Sequence, residues 1–223
     1  MILIYVTGDM HGDISRLRSR SARKLKKGDY LIVCGDFGFL WEGSKKERRI
    51  LKWLGKRKYT VLFIEGTHDN LDLINEYPVS QWSGGSVHEI SGKLKHLIRG
   101  SVFEIDGFKI FAFGGGESDD ADLRKSCWWS EEMPTLAELS KARDKLLEHD
   151  NKLDYIFTHQ SSRHMKRVIT MHDNDTNVLD VFFDAVRDHC KYKQWFFGGY
   201  HINKKIPPSE MALFNAIVEV TKV

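Results

Sequence analysis

The chain has 223 residues, with 34 Lys and Arg against 31 Asp and Glu for a formal net charge of +3. A composition 41% hydrophobic and 29% charged is that of an ordinary globular chain and argues against disorder, and so slight a charge does not by itself imply a nucleic-acid or membrane partner. Three cysteines (Cys34, Cys127, Cys190), widely spaced and with no CxxC, exclude a disulfide scaffold and a cysteine-based zinc site.

The first predicted strand, Ile2–Val6, is too short for a signal peptide and is cut off by the polar run Gly8–Asp13. No apolar stretch approaches the roughly 20 residues that span a bilayer. The expectation is a cytoplasmic protein with no membrane partner. Ile14, Leu17, Ser21 and Leu25 mark one side of a predicted helix stopped by Gly28. Tyr30–Cys34 is a second strand, and Ile50, Leu51, Trp53 and Leu54 centre a second helix ahead of a third strand, Val61–Ile64. Val87–Ile90 and Leu94–Ile98 read as short strands. Val102–Ile105 and Phe108–Phe113 flank Asp106-Gly107, a two-residue hairpin signal.

Thr135 and Glu138 form a capping box before a helix carrying Leu136, Leu139, Ala142, Leu146 and Leu147. Tyr155–Thr158 is a strand, Ser161–Asn177 a polar loop, Val178–Cys190 a helix capped by Asn177, and Trp195–Phe197 a strand. Met211–Val220 reads as a final strand. Strand–helix alternation argues for a layered α/β fold, with the middle strands and the last one forming an antiparallel second sheet. No repeat, low-complexity tract or linker divides residues 1–223, which read as one domain. The oligomeric state is not encoded in any such pattern.

The chemistry lies in where His and Asp fall. Each of the five apolar strands leads within a few residues to a metal-ligand type: Asp9 and His11, then Asp36, then Thr67, His68 and Asp69, then His159, then His201. Ligands in open α/β sheets gather beyond the carboxyl ends of the strands. Asp9 and His11, two apart in extended chain, point to one side. A mixed carboxylate and imidazole set suits Mn, Fe or Zn and recurs in two-metal phosphoesterases.

Gly8-Asp9-Met10-His11-Gly12, Gly35-Asp36, Gly66-Thr67-His68-Asp69, Thr158-His159 and Gly198-Gly199-Tyr200-His201 resemble, in order and spacing, the D-x-H-G, G-D, G-N-H-[DE], H and G-H-x-H motifs of the calcineurin-like metallophosphoesterases. Gly114–Glu132 resembles a segment of small bacterial and phage-type members. The resemblance implies a four-layer α/β/β/α sandwich of two mixed sheets flanked by helices. It also implies hydrolysis of a phosphomonoester or phosphodiester by a hydroxide held on two divalent metals about 4 Å apart. The first metal would take Asp9, His11, Asp36 and His201, with Asp36 bridging to a second that also uses His159 and the position of Thr67. His68 would protonate the leaving oxygen. The metal expected is manganese, with iron, zinc, nickel or cobalt as alternatives.

Two positions depart from the family pattern. Thr67 stands where the motif has Asn, and Gly199 where it has the first His of G-H-x-H. Both changes fall on the second metal, so weak occupancy and reduced activity are expected. Phe39 replaces an aspartate common in protein-phosphatase members. Two alternatives follow: a catalytically impaired binding scaffold, or a nucleic-acid phosphodiesterase.

The second alternative is suggested by seven basic residues within Arg16–Lys27 and eight within Lys45–Lys58. No interleaved aromatics support base stacking there, so solvated helix faces are the simpler reading and a nucleic-acid partner is not favoured. The expected partner is a phosphate-ester substrate. Arg124 is a candidate phosphate clamp, Trp128-Trp129 a packing element or cleft wall, and Asp119, Asp120 and Asp122 an exposed acidic cluster. His164, His172, Asp173 and Asp175 belong to a polar loop that could approach the depleted second site.

Overall fold

A computed structural model describes residues 2–118, 129–171 and 176–220. In chain order the strands are β1 (Ile4–Thr7), β2 (Tyr30–Cys34), β3 (Thr60–Ile64), β4 (Val79–Trp82), β5 (Gly85–Ser91), β6 (Leu94–Leu97), β7 (Ser101–Ile105), β8 (Phe108–Phe113), β9 (Tyr155–Thr158), β10 (Gln194–Phe197), β11 (Lys204–Ile206), β12 (Glu210–Ala212) and β13 (Val218–Glu219). The helices are α1 (Lys45–Gly55), α2 (Leu71–Asn75), α3 (Leu136–Glu148), α4 (Arg163–Thr170) and α5 (Val178–His189). The strands build two mixed sheets, one of seven in the order β13-β1-β2-β3-β6-β5-β4 and one of six in the order β11-β12-β10-β9-β8-β7.

The layering follows from side-chain alternation along each strand. On β2, Ile32 and Cys34 face the core between the sheets, while Leu31 and Val33 pack with Leu51 and Leu54 of α1. On the second sheet, Phe157 and Phe196 face inward. Ile156, Trp195 and Phe197 face Leu139 and Leu146 of α3 and Phe183 of α5. Strands covered on both faces need continuous apolar runs, which is why β1, β2, β3, β9 and β10 carry them. The expected four-layer α/β/β/α sandwich is the fold observed.

Capping sets the helix starts. The Ser44 side chain accepts from Glu47 N at 3.2 Å at α1, and full capping boxes, Thr135 with Glu138 and Asn177 with Asp180, open α3 and α5. The α5 helix ends one residue earlier than expected, at His189.

Four expectations are corrected. The helix read over residues 14–25 is instead two 3₁₀ turns, Arg16–Arg18 and Ala22–Lys24. Ser19 leaves the helical region (φ −62°, ψ 165°), and its hydroxyl caps the second turn by accepting from Ala22 N at 3.2 Å. Serines compete with helical backbone bonds in this way.

The middle strands do not form one antiparallel sheet. β5 and β6 extend the first sheet, with β6 parallel to β3 through Val61 and Leu94, and only β7 and β8 join the second. Ile90 and Leu94 pack under α1, which holds them to the first sheet.

Met211–Val220 is not one strand. β12 lies in the second sheet and β13 in the first, and Leu213–Phe214 crosses between them, Leu213 N donating to Phe197 O at 2.8 Å. The polar loop 161–177 contains a helix, α4, whose Ser162 N-cap accepts from Met165 N at 3.4 Å and whose Met165 is fully buried. Among the described residues, no helix is long and apolar enough to cross a membrane.

Candidate metal centre

The five strand-end loops meet. Loop one is locked to loop two because Met10 N and His11 N both donate to Asp36 O, at 3.0 and 2.7 Å. Asp69, fully buried, ties loop two to loop three by accepting from Phe37 N, Gly38 N and Gly66 N at 3.0, 2.9 and 2.9 Å. Burial first, then the nearby Asp36 charge, push the Asp69 carboxyl up to about 6. Asp69, a ligand type by its position after β3, is here a loop clamp.

Two glycines make room for the cluster. A Cβ at Gly35 would overlap the His159 ring, and one at Gly66 would overlap the Asp36 carboxylate. Both leave close-packed space only for a residue without a side chain.

Within this frame His11 Nε2 lies 3.0 Å from His201 Nε2 and 3.8 Å from Asp36 Oδ2, and His201 Nε2 lies 3.4 Å from Asp9 Oδ2. His159 Nδ1 is 3.4 Å from Asp9 Oδ1, and its Nε2 is 3.7 Å from Asp36 Oδ1. Two sets can each present three ligand atoms within 4.8 Å of one another: Asp9, His11 and His201, and Asp9, Asp36 and His159. Asp9 is common to both. His11, Asp36 and His201 hold φ of 44°, 45° and 50°, a left-handed conformation rare outside glycine. Such strain persists where surrounding structure enforces it, characteristically at functional sites.

The electrostatics favour a cation. Asp9 and Asp36 are 0% and 2% exposed, and two neighbouring carboxylates cannot stay ionised in a buried site without compensating charge. Burial would raise the Asp36 carboxyl, but facing His159 and the His68 contacts hold it well below the ordinary carboxylate range. Burial would lower His159, yet Asp36 and then Asp9 raise it to about 10. The site therefore draws a proton onto His159 where a metal ion would supply the same charge. At His11 burial dominates over Asp36 and Asp9, so its pKa falls and it stays a neutral imidazole, the form that ligates metal.

The remaining predicted site residues fall as follows. His68 N donates to Asp36 Oδ1 at 2.8 Å, and its Nδ1 lies 2.9 Å from Asp36 Oδ2. Thr67 is buried, outside both ligand sets, with its hydroxyl 3.1 Å from His68 Nδ1. Gly199, at φ 76°, gives its backbone N–H to Asp9 Oδ1 and Oδ2 at 2.9 and 3.1 Å. A cavity of about 460 Å³ opens beside Asp36, Thr67, His68, His159 and His201.

Phe39 is buried against Phe37. Trp129 stacks edge-on to Trp41 and donates from Nε1 to Asp72 Oδ2 at 2.8 Å, apart from the residues that line the cavity. His164 is exposed on α4. Arg124, Trp128, Asp119, Asp120, Asp122, His172, Asp173 and Asp175 lie outside the described residues.

Arg16 was not foreseen. It is 9% exposed, and its Nη1 donates to Phe214 O at 2.8 Å, Gly8 O at 3.2 Å and Thr7 Oγ1 at 3.3 Å, pinning the β1 end to the crossing segment. It sits in a run of basic residues, and nothing in that run distinguishes it.

A comparison with curated proteins finds no match. Residues 2–203, which span all five strand-end loops, match the family model described as calcineurin-like phosphoesterase. The chain belongs to the calcineurin-like phosphoesterase family.

Proposed function

We propose that this chain hydrolyses a phosphate ester with the help of divalent metal, and that the cluster of Asp9, His11, Asp36, His159 and His201 is its catalytic centre. The observation that carries the reading is the pair of ligand sets sharing Asp9, of which Asp36, His159 and His201 line a polar cavity. In this reading Asp9, His11, Asp36 and His201 hold the first metal, and Asp36 and His159, with Thr67 nearby, hold the second. Mn is the preferred ion, with Fe, Zn, Ni or Co as alternatives, since ligand type admits several. A bound divalent ion supplies Lewis-acid charge to phosphoryl oxygens and lowers the pKa of water to near neutrality.

The chain's own residues do the rest. Asp36 holds the His68 ring through Nδ1, which leaves Nε2 to give a proton to the leaving oxygen. Arg124 is proposed to hold the phosphate. Thr67 presents a hydroxyl where an amide carbonyl is the stronger donor, and Gly199 presents only backbone, so the second ion is weakly held and turnover is reduced. The cytoplasm is the proposed location, on the strength of the isolated cysteines.

The test is turnover of p-nitrophenyl phosphate with Mn²⁺, Ni²⁺, Co²⁺ and Zn²⁺ in turn, beside Asp36→Asn. Metal-dependent turnover lost in the variant supports the reading, and no turnover with any of the four ions rejects it. Thr67 and Gly199 favour one second reading, a family fold retained as a binding scaffold. That reading predicts an inactive chain made active by Thr67→Asn with Gly199→His.

A further inference from the structure

The cavity beside the metal centre extends to a wall built by α4, and there it meets Lys166 and Thr170. Its remaining lining is polar: Glu117, Ser118, Gln160 and Tyr200, with no aliphatic side chain beyond the threonine methyls. Lys166 is the one lysine or arginine among the described residues that line it.

Lys166 stands at the edge of a buried carboxylate and is paired with it only at long range. The side chain is 21% exposed, and Nζ makes an ion pair with Asp180 Oδ2 at 3.8 Å, longer than a hydrogen bond. Asp180 also accepts hydrogen bonds from two neutral donors, which share its oxygens with Lys166. Its Oδ1 accepts from Gln160 Nε2 at 2.6 Å, and its Oδ2 accepts from Asn177 N at 3.2 Å as part of the α5 cap. Glu117, the other carboxylate on this side of the cavity, accepts from Asn177 Nδ2 at 2.8 Å.

The spacing from the metal centre to Lys166 is fixed by the same contacts. Gln160 follows His159 in the chain, holds Asp180 through Nε2, and accepts from Glu117 N at 3.0 Å through Oε1. Across the cavity Tyr200 is fixed by a 2.8 Å contact with Ser161 Oγ. The wall that carries Lys166 is thus fixed relative to the metal centre.

We propose that the α4 side of this cavity is a subsite for a second anionic group, with Lys166 as the cation that receives it. The inference rests on the phosphoesterase reading and narrows it. The substrate class is a small, polar phosphate ester carrying another phosphate or a carboxylate a few bonds from the reacting phosphorus. An ammonium group takes either anion as a point charge. A polar lining with one such cation disfavours an apolar leaving group.

The test compares three inert probes by titration calorimetry on the Mn²⁺-loaded full chain: propylphosphonate, propane-1,3-bisphosphonate and 4-phosphonobutanoate. A charge-assisted contact predicts that the two probes with a second anion bind about tenfold or more tighter than propylphosphonate. In Lys166→Met that preference collapses to within about twofold, the scale of a lost ionic contact, while Lys166→Arg keeps it. The ranking of bisphosphonate against phosphonobutanoate identifies phosphate or carboxylate as the second anion. No preference in the unmodified chain, or one that survives Lys166→Met, overturns the proposal. If Lys166→Met does not fold by circular dichroism, Lys166→Gln takes its place. Hydrolysis of p-nitrophenyl phosphate by the unmodified chain is measured alongside. Lys166-dependent binding without turnover rejects the enzyme reading and leaves the anion subsite standing.

Discussion

His11 and His201 are 190 residues apart in sequence, yet their Nε2 atoms stand 3.0 Å apart, each within 4 Å of a buried carboxylate. Two imidazole nitrogens converging with carboxylates is the arrangement a single ion satisfies, since it replaces the proton the pair would otherwise share. Mn²⁺ or Zn²⁺ should therefore raise the thermal midpoint with the logarithm of metal concentration once that exceeds Kd. Metal analysis should find one ion per chain held through dialysis and a second lost in it. Two retained ions would mean that groups other than Thr67 and Gly199 complete the second set. His201→Ala should abolish the thermal shift.

The two departures from the family pattern are not equally easy to reverse. Thr67 sits beside the cavity with its hydroxyl on His68 Nδ1, so Thr67→Asn adds an amide carbonyl without disturbing buried backbone. Gly199 holds φ 76°, and a Cβ there would lie 3.1 Å from His159 O. Gly199→His should cost about 1–2 kcal/mol of stability from left-handed strain alone. The double variant should retain a second ion and turn over p-nitrophenyl phosphate faster. Equal activity before and after would show that these positions do not limit the chain.

The site was more legible in the sequence than the sheet arrangement, for a physical reason. Asp9, His11, Asp36, His159 and His201 each follow a buried strand, and parallel strands in a layered fold deliver their ends to one edge. Sheet membership is decided instead by long-range packing. Whether β6 pairs with β3 or with β7 depends on Leu94 finding α1, which local periodicity does not record. Residues 14–25 carry the apolar spacing of a helix, but Ser19 turns extended and its hydroxyl takes the Ala22 N–H. Thr67 and Gly199 could be seen as departures, but the Gly199 N–H on Asp9 is a backbone contact, invisible to side-chain chemistry.

Arg16 offers a stability test of the β1 loop. Its guanidinium reaches Gly8 O, Phe214 O and Thr7 Oγ1, and burial lowers its pKa without discharging it. Arg16→Met keeps the stem but leaves a buried carbonyl short of a donor, at a cost of about 1–3 kcal/mol. Urea unfolding should show that loss with the m-value unchanged. A larger loss of metal affinity than of stability would show that Arg16 also sets the position of Asp9.

Acid sensitivity should come from a second buried group. His96 Nε2 contacts Glu65 Oε2 at 2.7 Å, and His96 Nδ1 contacts His88 Nδ1 at 3.0 Å. His88 is 7% exposed, and burial, then His96, hold its pKa down to about 4 against an ordinary 6.5. A base depressed on folding is neutral in the fold, so this stability is fully present above pH 6.5 and is lost as pH falls through 4. The loss should approach about 3 kcal/mol at its lower end. Glu65, lowered to about 2 against an ordinary 4.5 by Arg99 and His96 despite burial, adds a further loss at lower pH with the same sign. The raised Asp69 carboxyl acts with the opposite sign below about pH 6 in both proteins, so the His88 contribution is read as a difference. The thermal midpoint of the unmodified chain should drop relative to that of His88→Gln as pH falls from 7.5 to 4. An equal slope in both would remove His88 from the account.

The role of His68 can be separated from that of its neighbours by the leaving group. If Nδ1 donates to Asp36 Oδ2, the ring is oriented and Nε2 is the nitrogen that carries the transferable proton. General-acid help matters in proportion to the basicity of the departing oxygen, because a nitrophenolate leaves unaided and an alkoxide does not. His68→Asn should therefore lower kcat for an alkyl phosphate by about 10²–10⁴-fold, the range of general acid catalysis. For p-nitrophenyl phosphate the same variant should lose far less. Loss of the basic limb of the alkyl-phosphate pH profile, with the p-nitrophenyl profile unmoved, would assign the proton to His68. Equal losses on both substrates would instead make His68 a positioning residue for Asp36, acting through the 2.9 Å contact rather than on the leaving oxygen.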